Sequence, residues 1–167
     1  PDILNESDFN KWRDLHIVFS KLWHDSSGYS RLKKGLKCFI SACDCGDIVF
    51  RLPQFVRALE SLILAEPGKT TKQFCQRVQK FGGTQNELND VYAIRCAFDH
   101  LNDIDPTLDS KVMPLANRAE KIARSAFQRV ILNDLQHYYD DDKIRAFWND
   151  SSNGLLLVRD MREGGFL

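Results

Sequence analysis

Long apolar runs are missing from this chain. No stretch approaches the roughly 18 consecutive apolar residues that a bilayer-spanning helix needs, so neither a membrane span nor a membrane partner is expected. The first residues also lack the charged-then-apolar pattern of a secretory leader. The chain opens at Pro1 instead of Met, and is expected to be a fragment or processed form of a longer protein with other domains.

An excess of charge is missing as well. Lys+Arg and Asp+Glu both number 23, for a formal net charge of +0. Proteins that coat duplex nucleic acid through phosphate contacts carry a clear basic excess. Any nucleic-acid contact is therefore expected to be local, through a small catalytic site or a basic patch.

Paired cysteines are missing too. Cys38, Cys43, Cys45, Cys75 and Cys96 are odd in number and match no disulfide spacing. They read as reduced, buried, small hydrophobes of a cytoplasmic protein. Cys38 with Cys43-Asp44-Cys45 suggests zinc, but a structural zinc site wants a second ligand pair, and no His lies near. Core packing is the better reading, and no metal or cofactor is expected.

What the chain does have is 43% hydrophobic residues in helical periodicity across 167 positions, enough for one domain with a real core. Ser7 or Asp8 can cap a first helix to His24. A second is expected over Ser30 to Cys43. A third carries Phe55, Val56, Leu59, Leu62 and Ile63, with Pro53 in its first turn. A fourth runs from Thr70 or Thr71 to Phe81 and closes at Gly82-Gly83. A fifth spans Gln85 towards Asn102, and a long sixth covers about Asp109 to Tyr139. The run Asp140-Asp141-Asp142 reads as a solvated helix junction. The expected fold is all-α: a helical bundle over 1–149, then a short C-terminal appendage over 150–167. In that appendage Leu155 to Val158 forms a strand, an arm or a docked edge.

The fifth helix holds the candidate chemistry. Leu88, Val91, Ile94, Phe98 and Leu101 define its core stripe. At about 100° per residue, Arg95 lies roughly 60° from the centre of that stripe and His100 lies nearly opposite it. Tyr92, Asp99 and Cys96 fall between them, so Arg95, Tyr92, Asp99 and His100 are expected to fringe one face away from the core. A base candidate, a phosphate binder and an aromatic ring would share that face.

Arg95-Cys96-Ala97-Phe98-Asp99-His100 is an Arg-x4-His motif late in a helix, followed by a polar loop and a long helix. It resembles the HEPN domains of bacterial toxin, abortive-infection and CRISPR-linked ribonucleases. Upstream, Ala58-Leu59-Glu60-Ser61-Leu62 is similar to the pattern of the Apea-like branch. The resemblance covers about Leu36 to Leu132. It implies an antiparallel bundle of HEPN type, with a core over about 36–139, that pairs as a homodimer. It also implies metal-independent RNA cutting by 2′-hydroxyl attack, in bacterial defence or opposite an antitoxin. His100 would then be the base or aligner, because an imidazole with an ordinary pKa of about 6.5 can take the hydroxyl proton near neutral pH. Arg95 would clamp the phosphate, whose developing charge fits the planar guanidinium. Glu60 or Asp99 would orient Arg95. One position departs from the pattern: many catalytic members carry a polar residue after the Arg, where this chain has Cys96. That departure favours the alternative, an inactive HEPN-like module for dimerisation or for binding nucleotide or protein.

Other residues carry two readings each. Arg31, Lys33, Lys34 and Lys37 can touch RNA phosphates or form only a solvated face. Tyr138-Tyr139 can stack bases or pack helices. His16, His24 and His137 read as structural or surface residues.

Overall fold

The computed structural model describes residues 6–100, 103 and 110–150. These form seven α-helices with no strand among the described residues: α1 (Glu6–His24), α2 (Ser30–Asp44), α3 (Ile48–Ile63), α4 (Thr70–Val78), α5 (Gln85–Asp99), α6 (Val112–Arg129) and α7 (Asp141–Asn149). The expected all-α class is therefore seen. The exit from α5 at Leu101-Asn102 and the appendage with its Leu155–Val158 run lie outside the described residues.

α3 is the central helix. Leu52, Phe55, Val56, Ala58, Leu59, Leu62 and Ile63 are all fully buried, so apolar residues cover most of its circumference. Such a helix needs neighbours on every side, and α2, α4, α5, α6 and α7 all pack on it. Gly35 of α2 permits the tightest of these approaches. A Cβ there would stand 1.8 Å from Ser61 Oγ.

The ends of α3 are set by its flanking residues. Asp47 caps the start by accepting from the Val49 amide at 2.9 Å. The helix therefore begins at Ile48, and Pro53 sits inside it rather than in its first turn. Having no N–H, Pro53 leaves the Val49 carbonyl without its ladder bond. At the other end Leu64 turns left-handed, with φ 44°. The last carbonyls of a helix have no partner within it. Here distant side chains supply them. Arg31 donates through Nη2 to Glu60 O and through Nε to Ser61 O, both at 3.1 Å. Trp148 Nε1 donates to Leu62 O at 2.8 Å. Arg77 Nη1 donates to Ile63 O at 2.6 Å and Leu64 O at 2.9 Å.

The long sixth helix is not continuous. It ends at Arg129, widens into a π-helical turn over Val130–Asp134 and tightens into a 3₁₀ turn over Leu135–Tyr138. These changes in turn width break the 3.6-residue register. Tyr138 enters the core while His137 stacks on Phe147, with ring centroids 5.1 Å apart. Asp140 belongs to the next helix, capping α7 through the Lys143 amide at 2.8 Å.

The cysteines are all free, but they are not all core residues. Cys75 is buried, Cys38, Cys45 and Cys96 are half-buried, and Cys43 is exposed. Cys43 faces outward because α2 turns Ala42, its neighbour, to the core. No group of metal-ligating side chains occurs among the described residues.

Candidate active site at the end of the fifth helix

α5 starts from a capping box. Thr84 accepts from the Glu87 amide at 3.3 Å, and the Glu87 carboxylate accepts from the Thr84 amide at 2.7 Å. This satisfies two amides that the helix leaves open and anchors its first turn. Leu88, Val91 and Ile94 then pack into the core, which sets the orientation of the helix end, where the motif lies.

Arg95 is held by two carboxylates. Its Nη2 donates to Glu60 Oε2 of α3 at 3.1 Å, and its Nη1 lies 3.0 Å from Asp99 Oδ2. The other Asp99 oxygen, Oδ1, accepts from Arg57 Nη2 at 2.7 Å. Two cations and two anions thus alternate along Glu60, Arg95, Asp99 and Arg57. Burial works against the charge on Arg95, but Glu60 and Asp99 outweigh it, so its pKa is raised. Its Nε is buried without a hydrogen-bond partner among the described residues. Behind this cluster, the bonds from Arg31 to the Glu60 and Ser61 carbonyls fix the turn of α3 that presents Glu60.

His100 stands directly after Asp99 as the residue closing α5, with φ −96° and ψ 7°. Its amide bonds Cys96 O at 3.1 Å, while the residue as a whole is exposed. The structure therefore brings Arg95, Asp99 and Glu60 into contact and closes the helix at His100, the residue after Asp99. Cys96 is half-buried next to Arg95.

Tyr92 does not join the open face. It is only 5% exposed, tilted against Phe74 of α4 with ring centroids 4.9 Å apart. The helical-wheel expectation fails because α4 covers the side of α5 that a single helix leaves blank. Burial, then Glu60, push the Tyr92 phenol up to about 12. Its role is to floor the cluster: the Arg95 guanidinium lies 5.7 Å over its ring.

The basic cluster of α2 is divided by the fold. Arg31 caps α3, Lys33 bonds the Asp25 carbonyl, and Lys37 sits over the Trp23 ring at 6.0 Å. Lys34 is exposed at the rim of a cavity of about 340 Å³ that also touches Ser27, Ser30, Arg31, Asp140 and Asp141. That cavity shares no residue with the Arg95 cluster. Its two carboxylates oppose its two cations, so it lacks the one-sign lining a phosphate wants. Tyr139 packs edge-on against Tyr29 at 5.2 Å, Tyr138 is buried, and His24 Nδ1 bonds Ser20 O at 2.8 Å.

Sequence patterns alone do not single out Arg57. The only linear signal is that it precedes Glu60 by three residues, on the same helix face. Its bond to Asp99 spans 42 positions. No family model, curated protein or solved structure matches the chain.

Proposed function

We propose that the chain is a metal-independent endoribonuclease of HEPN type, an antiparallel bundle working as a homodimer in bacterial defence or against an antitoxin. One observation carries the reading: Glu60 and Asp99 hold the Arg95 guanidinium near the end of α5, and the exposed His100 closes that helix. In this reading His100 takes the proton of a ribose 2′-hydroxyl. The freed oxygen bonds to the adjacent phosphorus, the bond to the 5′-oxygen breaks, and that oxygen leaves with a proton taken from water, while His100 later returns its proton to solvent. Arg95 faces the charge that builds on the phosphoryl oxygens. Ion pairing on two sides restricts its guanidinium to one orientation, which supports catalysis by preorganisation.

A second reading is favoured by the same ion pairs. Two carboxylates already neutralise Arg95, and Cys96 stands where a polar residue would help, so the chain would be an inactive module that dimerises. Incubating the full chain with single-stranded RNA in EDTA separates the two. The nuclease reading expects cleavage that falls by about 10²–10⁴-fold in His100→Ala and in Arg95→Ala, with the helical circular dichroism retained. Cleavage at the parent rate by either variant refutes it. A chain that dimerises and cuts no RNA supports the second reading.

A further inference from the structure

The charges around Asp99 are unevenly exposed. The carboxylates lie low, with side-chain exposures of 18% for Glu60 and 17% for Asp99, while Arg57 is 43% exposed. The cluster is neutral in sum, and Arg57 is its most exposed member. The two guanidiniums meet on opposite oxygens of one carboxylate, Arg57 at 2.7 Å from Oδ1 and Arg95 at 3.0 Å from Oδ2.

They differ in what they have left to give. Arg95 commits one N–H of each terminal nitrogen to a carboxylate and has its Nε buried, which leaves it at most two donors, for the scissile phosphate. Arg57 bonds only Asp99 among the described residues, so its Nε and Nη1 donors remain open. A guanidinium carries five N–H donors in a fixed fork that fits phosphate oxygens. Arg57 can therefore take a phosphate without releasing Asp99.

His100 follows Asp99 directly as the residue that closes α5.

We propose that Arg57 is a second RNA-phosphate contact of this site, and that Asp99 is the positioning residue that sets Arg57 and Arg95 side by side on its two oxygens. The proposal rests on reading Arg95 and His100 as an RNA-cutting pair, and it makes single-stranded RNA, engaged at two phosphates, the ligand. Arg57 binds the backbone and Arg95 serves the scissile phosphate.

The test uses the full chain carrying His100→Ala, so that a fluorescein-labelled single-stranded RNA stays intact. Fluorescence anisotropy in EDTA gives the affinity at a series of salt concentrations. Adding Arg57→Ala is expected to weaken binding by about 5–10-fold and to lower the slope of log affinity against log salt by about 0.7, the value for one phosphate contact on a single strand. Adding Arg57→Lys instead retains the slope, which a merely structural role for Arg57 would not produce. Thermal melts of each variant establish that the fold survives. If the His100→Ala chain binds RNA and Arg57→Ala changes neither affinity nor slope, Arg57 is no phosphate contact and the nuclease reading stands without it. If the His100→Ala chain binds no RNA even at low salt, the nuclease reading falls and the role of Arg57 falls with it.

Discussion

Replacing Glu60 by Gln removes one of the two anions on Arg95 while keeping the size of the side chain. The substitution breaks an ion pair at 3.1 Å between side chains 21% and 18% exposed. Exposed pairs contribute about 0–1 kcal/mol, and breaking a fully buried pair costs about 3–5 kcal/mol. With about a fifth of each side chain open to water, this pair falls between, so the expected loss is about 1–2 kcal/mol. Gln can still accept weakly from Arg95, which keeps the value at the lower end. A double-mutant cycle isolates the interaction: parent, Glu60→Gln, Arg95→Met and the double variant, each unfolded in urea and followed by circular dichroism. At constant m the shifts in midpoint convert to free energy. A coupling of about 1 kcal/mol is expected. Coupling below about 0.3 kcal/mol, the range of independent sites, would mean that solvent screens the pair and that Glu60 does not hold Arg95.

Two further tests address the frame around the site. Gly35→Ala places a Cβ 1.8 Å from Ser61 Oγ and 3.2 Å from the Ala58 carbonyl, so overpacking should outweigh the better helix propensity and destabilise by about 1–3 kcal/mol; an unchanged melting temperature would show that α2 and α3 are not so close. Tyr92 keeps its proton up to about 12 in the folded chain against 10.0 for an ordinary phenol. Between those values the unfolded chain binds fewer protons, so stability should be full below pH 10 and should fall as pH rises towards 12. Tyr92→Phe should flatten part of that fall in urea titrations, and an unaltered alkaline profile would contradict the burial of its hydroxyl against Glu60.

Most helices are legible in the sequence because their signals are local. Thr84 followed by Glu87 is a start signal read within four residues, and Leu88, Val91 and Ile94 mark the core side of α5. What is not legible depends on contacts across the chain. Arg31 reads in sequence as an RNA-phosphate contact or a solvated cation and Arg77 carries no signal, yet both hold carbonyls of α3, and Trp148 joins them from the last helix. Pro53 suggests a later start for α3 because proline suits a first turn, but the cap at Asp47 starts the helix five residues earlier, at Ile48. Within the site, the Arg95 and Asp99 contact follows from i,i+4 spacing, and Glu60 is marked only by a resemblance to the Apea-like pattern. The covering of Tyr92 by Phe74 and the attachment of Arg57 to Asp99 need the packing of α4 and α3 on α5, which no single-helix wheel contains.

The most direct measurement concerns the nucleophile. An RNA oligonucleotide and a copy carrying a single 2′-deoxy sugar at the mapped cut site are incubated with the full chain in EDTA. The expected result is a 2′,3′-cyclic phosphate end on the RNA product and no cut at the deoxy position, because the attacking oxygen has been removed. Cutting at the deoxy position, or cleavage that appears only after a divalent metal is added, would contradict an imidazole and a guanidinium acting on the ribose hydroxyl.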